Sequence, residues 1–196
     1  MMHQALQMAA AVAMVTTPQA ANAATANAGT DVPVGHFRSV ELEEGGQVTL
    51  RHGAQQRVTL VQGDLAVSSI AIDDEGKLRI RTCRHHCPVN YRLEVEIVSP
   101  DVNGVAVSEG GSITAVGSFP QRDLVNVAVN EGGSVDVRAM TGDIVNAAVN
   151  EGGRIRTSAK TSLNAAIHEG GSITYWGNPI VNRAIVDGGS VQRATD

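Results

Sequence analysis

A ten-residue phrase recurs along the second half of this chain and limits what it can fold into. It reads Gly-Val-Ala-Val-Ser-Glu-Gly-Gly-Ser-Ile from Gly104 and Asn-Val-Ala-Val-Asn-Glu-Gly-Gly-Ser-Val from Asn126. Further copies begin at Asn146, Asn164 and Asn182. The acids within the phrase, Glu109, Glu131, Glu151, Glu169 and Asp187, are spaced by 22, 20, 18 and 18 residues. A near-fixed period in this range signals stacked structural units that bury their apolar sides against one another.

Inside each copy, apolar residues alternate with small or polar ones. Val127 and Val129 share one face and Asn126, Ala128 and Asn130 the other; Val135 and Val137 then alternate with Ser134 and Asp136. This two-residue period, built mainly from Val and Ile, is the strand signal. Two short strands therefore flank each Gly-Gly, and the glycines, which tolerate positive φ, mark a corner. A helix would carry both glycines in its interior at about 1 kcal/mol each relative to Ala. A meander of hairpins would also alternate, but with antiparallel strands and no need for identical corners.

Stacking one copy per turn gives an all-β, single-stranded solenoid, a parallel β-helix with C-terminal coils of 18–22 residues. Its turns would lie about 4.8 Å apart. Val107, Val129, Val149, Ile167 and Ile185 then form one apolar column, and Ile113, Val135, Ile155, Ile173 and Val191 a second. Asn126, Asn146, Asn164 and Asn182 form an amide ladder. The segment 39–50 fits the same template, and 70–80 fits it loosely, with the aligned acids 30 and then 35 residues apart. Extra strands over 57–61 and 91–98 fill the difference. The N-terminal half is thus a wider, irregular winding that caps one end. At the other end, Arg183 takes a position where Val127, Ala147 and Ala165 point inward, which suits a last turn facing water.

At 196 residues the chain fits one domain and a leader. Aromatics are 3% and hydrophobic residues 42%, a composition for a thin aliphatic core. The net charge of −5 gives nucleic acid no electrostatic purchase. Met1–Ala28 reads as a secretory signal peptide: Ala5–Val15 is apolar, and Ala21-Asn22-Ala23 and Ala26-Asn27-Ala28 offer small-residue cleavage sites. Its start, Met-Met-His-Gln, lacks the usual Lys or Arg. The apolar run is too short to span a bilayer, and no transmembrane anchor is expected. Residues 31–196 form the exported domain, destined for the periplasm, the cell surface or the medium.

The strand pairs around Gly45-Gly46, Asp64, Lys77-Leu78-Arg79-Ile80 and the C-terminal Gly-Gly repeats carry a resemblance. So do Ile173-Thr174-Tyr175-Trp176-Gly177-Asn178-Pro179, Val181 and Gly188-Gly189-Ser190-Val191. From about Val34 to Arg193 the chain resembles the head GIN domain family, described as auto-transporter adhesins. The resemblance implies a right-handed parallel β-helix, an extracytoplasmic setting and no catalytic residues. This chain places an acid in each corner where the family commonly has Ser-Gly or Gly-Ala. No β-barrel translocator precedes Asp196, so self-transport is not expected of this polypeptide.

Three constellations are candidates for chemistry. The acid ladder Glu109, Glu131, Glu151, Glu169 and Asp187 either lines up oxygen ligands for cations such as Ca²⁺ or forms a solvated corner whose charges discourage sideways aggregation. Cys83-Arg84-His85-His86-Cys87 holds both cysteines of the chain. An exported setting favours a Cys83–Cys87 disulfide; the alternatives are a Zn²⁺ or copper site using Cys83, His85, His86 and Cys87, or two free thiols. Tyr91, Tyr175 and Trp176 suit either sugar stacking or packing at the end of the coil. His36, His52 and His168 are isolated and expected at the surface. No nucleophile sits beside a base, and no glycine loop cradles phosphate.

The expected function is an exported, non-enzymatic, adhesin-like binding module without a required cofactor. Its partner would be a protein or glycan of the cell envelope, with self-association as a further option. Two alternatives stand beside it: an envelope spacer that associates end to end, and a polysaccharide-active enzyme. Connections such as 158–162 are too short to wall a catalytic groove.

Overall fold

A computed structural model describes residues 29–83 and 86–194. The expected signal peptide lies outside them. Fifteen strands form one sheet, and no helix occurs among the described residues. In chain order they are β1 (Thr30–Asp31), β2 (Ser39–Glu43), β3 (Gln47–His52), β4 (Arg57–Gln62), β5 (Ser69–Ile72), β6 (Lys77–Arg81), β7 (Glu94–Ser99), β8 (Gly104–Ser108), β9 (Ser112–Val116), β10 (Arg122–Asn130), β11 (Ser134–Asn150), β12 (Arg154–His168), β13 (Ser172–Trp176), β14 (Ile180–Val186) and β15 (Ser190–Arg193).

The C-terminal turns stack in parallel and in the register that the repeat dictates. Val107 pairs with Val129, Val129 with Val149, Val149 with Ile167, and Ile167 with Ile185. On the next wall Ile113, Val135, Ile155, Ile173 and Val191 follow one another in the same way. All of these are buried except Ile185, in the last turn. Arg183, opposite Ala165 in that turn, is exposed.

Two short strands flank Gly110-Gly111, as β8 and β9, and Gly188-Gly189, as β14 and β15, but the copies between them differ. β11 and β12 run unbroken from one Gly-Gly corner to the next, and the second bend of each turn lies within the strand. The register between them slips from Asp136 to Thr141 and again from Gly142 to Ile144. These slips absorb the difference between a 20- and an 18-residue turn, and the longer turn tucks Met140 fully inside.

The N-terminal half corrects the expected winding in three respects. First, 70–80 is not a corner. β5 and β6 form an antiparallel hairpin, Ile70 opposite Ile80. Asp73 makes its turn, its Oδ1 accepting the backbone N–H groups of Glu75 (3.0 Å) and Lys77 (2.9 Å). The bond from Lys77 chiefly holds the Asp73 carboxyl below its usual range. Second, the sheet is mixed, because β1–β4 and β4–β7 are also antiparallel. Third, the turns are not stacked in chain order. β2 lies between β6 and β8, and β3 between β7 and β9, so the earliest turn is sandwiched by two later ones.

Charge specifies that insertion. Lys77 Nζ lies 2.9 Å from Glu41, Arg79 lies 3.1 Å from Glu43 and 3.2 Å from Asp73, and Arg81 lies 2.6 Å from Glu43. Opposite charges thus face each other across β2 and β6, and a slipped register would juxtapose the wrong signs. Phe37 is buried in the core, with its backbone clasped by Gln56: the Gln56 amide donates to Phe37 O (2.9 Å) and accepts from Phe37 N (3.3 Å).

Candidate functional site

Each sharp corner starts on its acid. Glu44, Glu109, Glu131, Glu151, Glu169 and Asp187 all adopt left-handed backbone, with φ between 53° and 63°. Such a conformation costs an L-residue roughly 1–2 kcal/mol. In the five glutamates it is held because the acid's N–H donates to a carbonyl of an adjacent turn, as from Glu131 to Asn150 (3.0 Å) and from Glu151 to His168 (2.9 Å). Beyond the Gly pair the next N–H points the other way: Arg154 donates to Gly133 (3.0 Å) and Ser172 to Gly153 (3.0 Å). The carboxylates of Glu109, Glu131, Glu151, Glu169 and Asp187 project into solvent as a row. Among the described residues no three His, Cys, Asp or Glu side chains converge as metal ligands would.

The wall that precedes this row carries the most regular outward surface. Asn146 donates to Asn126, Asn164 to Asn146 and Asn182 to Asn164, each at 2.9 Å. Four residues along the strand runs a second ladder. Asn150 donates to Asn130 at 2.7 Å, and His168 Nδ1 lies 3.1 Å from Asn150 Oδ1. Between them Ala106, Ala128, Ala148, Ala166 and Ala184 stand in register as a floor of methyl groups. The result is a trough along the stacking direction. Its two halves enclose about 680 and 420 Å³. Five strands give the alanine floor a length of about 19 Å. At the N-terminal end the floor column continues as Glu41 and Arg79, so the ion-pair network closes the trough there.

The sequence shows the first amide ladder directly. The second is less plain, because the same position of the phrase is Asn in two copies, Asn130 and Asn150, and changes to His168 in the next. His168 is exposed as expected yet belongs to this ladder; His36 and His52 are exposed and stand apart from it.

The remaining candidates are placed elsewhere. Cys83 and Cys87 face each other with Cα atoms 5.6 Å apart and their sulfurs at bonding distance. His85 lies outside the described residues, and His86 is exposed. The three aromatics do not gather. Tyr91 ties down the loop before β5, accepting the Asp64 N–H (2.8 Å) and sharing a 2.6 Å hydrogen bond with Ser68. Tyr175 and Trp176 are half-buried in the penultimate turn, and Arg138 lies 4.8 Å from the indole centroid. Asp136 grips that guanidinium at 2.8 and 2.7 Å. Burial pushes the Asp136 carboxyl up, but the bonds from Arg138 outweigh it and leave it below its usual range. Trp176 thus serves as a face for an already paired arginine.

With this geometry in hand, the family is decided by the sequence over the same turns. Residues 36–125 and 122–179 match the family described as putative auto-transporter adhesin, head GIN domain. The chain belongs to that family. Among solved structures this head GIN domain is similar to a putative adhesin from Bacteroides fragilis, at 16% identity and a TM-score of 0.45 over 84% of this chain and 95% of that one. A putative adhesin from Parabacteroides merdae gives 13% and 0.40 over 85% and 95%. A putative lipid binding protein from Parabacteroides distasonis gives 12% and 0.33 over 84% and 95%. No curated protein matches it in sequence. No helix among the described residues is long and apolar enough to cross a membrane.

Proposed function

We propose that this head GIN domain is an exported, non-enzymatic binding module, adhesin-like in its role, whose trough takes an extended neutral glycan at the cell envelope. The coil that carries the trough is a right-handed parallel β-helix in this reading, and Met1–Ala28 is its signal peptide. The observation that carries the proposal is the pair of amide ladders on either side of an alanine floor. Each ladder amide keeps an N–H and an oxygen lone pair beyond those spent on its neighbours. Donors and acceptors therefore repeat along two parallel lines about 4.8 Å apart per turn, and the methyl floor leaves room for a flat polymer. The bordering row of carboxylates repels polyanions and so favours an uncharged chain. Glycoside hydrolysis commonly needs two flanking carboxyl groups; among the described residues the carboxylate that closes the trough, Glu41, is already paired with Lys77.

The test is a binding screen against neutral and acidic polysaccharides, with turnover followed in parallel. Replacing Ala148 and Ala166 together by Arg fills the floor without touching the core. Binding of neutral polymers should weaken at least tenfold, roughly a 1.4 kcal/mol loss, while the melting temperature changes little. Preference for acidic polymers, indifference to the filled floor, or turnover of any of them would overturn the proposal.

Cys83 and Cys87 are a disulfide in the same reading, closing the loop ahead of Pro88. Intact mass of the exported chain should fall two hydrogens below the sum for free thiols. Two alkylatable thiols with a bound metal would instead make the His-Cys loop a metal site.

A further inference from the structure

We infer, resting on the reading of the trough as a glycan site, that its glycan is built from 2-acetamido sugars. Beyond the first amide ladder, on the side away from the alanines, lies an outward row that the core does not use. Leu124 stacks on Ile144, Ile144 on Ser162 and Ser162 on Ile180. Each stands two residues before its ladder asparagine, so its side chain leaves the same outer face of the wall. Leu124 is 37% exposed, Ile144 42% and Ile180 72%. The residues that follow the first three, Val125, Val145 and Leu163, already fill the core at this level. Single exposed apolar residues are ordinary on a protein surface, whereas a contiguous row of them marks a contact.

Across the wall the order is therefore methyl floor, amide ladder, aliphatic row. A 2-acetamido sugar has the same order: a ring, an amide carried sideways from it, and a methyl group beyond the amide. A ring lying along Ala128 and Ala148 directs its acetamido group at the ladder. There Asn146 and Asn164 each keep one N–H and one oxygen lone pair after bonding the turns on either side. The acetamido C=O accepts the first and its N–H donates to the second. Its methyl is aimed outward past the ladder, toward Leu124 and Ile144. A hydroxyl on the same ring carbon leaves the aliphatic row bare. The opposite rail has no such row, because two residues beyond Asn130, Asn150 and His168 come the corner glycines Gly132, Gly152 and Gly170. Rings of an extended chain advance by close to one turn, about 4.8 Å, so the match repeats along the stack.

The probes are the β-1,4-linked hexasaccharides of N-acetylglucosamine and of glucose, which differ only in acetamido against hydroxyl. Calorimetric titration of the exported chain should show the acetylated one bound about tenfold more tightly, the scale expected of one or two packed methyl groups. Leu124→Ser combined with Ile144→Ser should remove that advantage, with binding of the glucose hexasaccharide and the melting temperature little changed. Ile144→Asn alone should act in the same direction if the double variant does not fold. Equal binding of the two hexasaccharides would overturn the inference and leave the glycan reading standing. Binding of neither would also overturn it, and the glycan reading falls too if other neutral polymers are refused. Tighter binding of the deacetylated, cationic hexasaccharide would assign recognition to the carboxylate row and sink the inference. So would a native dimer that the double change dissociates, since a second copy would then cover the aliphatic row.

Discussion

Replacing Gly153 by Ala is expected to destabilise the protein by about 3–5 kcal/mol, combining overpacking with left-handed strain. The same change at its neighbour Gly152 should cost only about 1–2 kcal/mol, the strain alone. Both residues have positive φ, 103° and 85°. The difference lies in what surrounds them. A methyl at Gly153 would come within 2.4 Å of Val129 Cγ1 and 3.1 Å of Gly133 O, whereas nothing lies within 4 Å of one at Gly152. The same asymmetry recurs at the other repeat corners, because the second glycine always lies against the previous turn. Gly171 would bring a methyl within 2.5 Å of Val149, while Gly170 is open. Urea midpoints of the two single variants measure the contrast, and equal midpoints would mean that the turns are not in the contact described.

Val149→Asp is the second large effect, a loss of several kcal/mol that should leave little folded protein at 37 °C. Val149 is 2% exposed, with Val129 and Ile167 stacked on either side, so a carboxylate there finds no water and no partner. Asn130→Asp, one turn away on the outer face, should shift the melting temperature by only a few degrees, on the order of 1 kcal/mol. Its oxygen still accepts the Asn150 amide, and what is lost is the 3.3 Å contact to Glu131. Similar melting temperatures for the two variants would mean that the faces of β10 and β11 are assigned the wrong way round.

Much of this arrangement was legible in the residues because the stabilising pattern is periodic. Val107 to Ile167 alternate and repeat, and period-2 alternation admits one buried face. What escaped notice depends on contacts without local signal. Asp73-Asp74-Glu75-Gly76 resembles the acid-glycine corners, yet it has one glycine where they have two, and it closes a hairpin. The place of β6 beside β2 follows from charges some 36 residues apart in the chain, Lys77 and Glu41. Arg138 and Trp176 meet because two turns stack, which no window of sequence contains. The left-handed acids were hidden for another reason: the glycines after them account for a sharp corner on their own. The trough was half visible, since one rail is uniform asparagine and the other changes to histidine.

The position of β2 and β3 has a consequence for how the chain acquires its shape. A polypeptide that emerges N-terminus first presents residues 39–52 with both long edges bare. One neighbour, β6 and β7, becomes available only after residue 99, and the other, β8 and β9, after residue 116. The first turn therefore cannot seed the coil, and its pairing entails closing loops of tens of residues. The later turns pair at separations of only 18–22 residues with identical corners. Short loop closure is therefore expected to favour a nucleus in these turns, with the beginning of the chain slotted in last. Until then its bare strands are the part most exposed to mispairing with another chain.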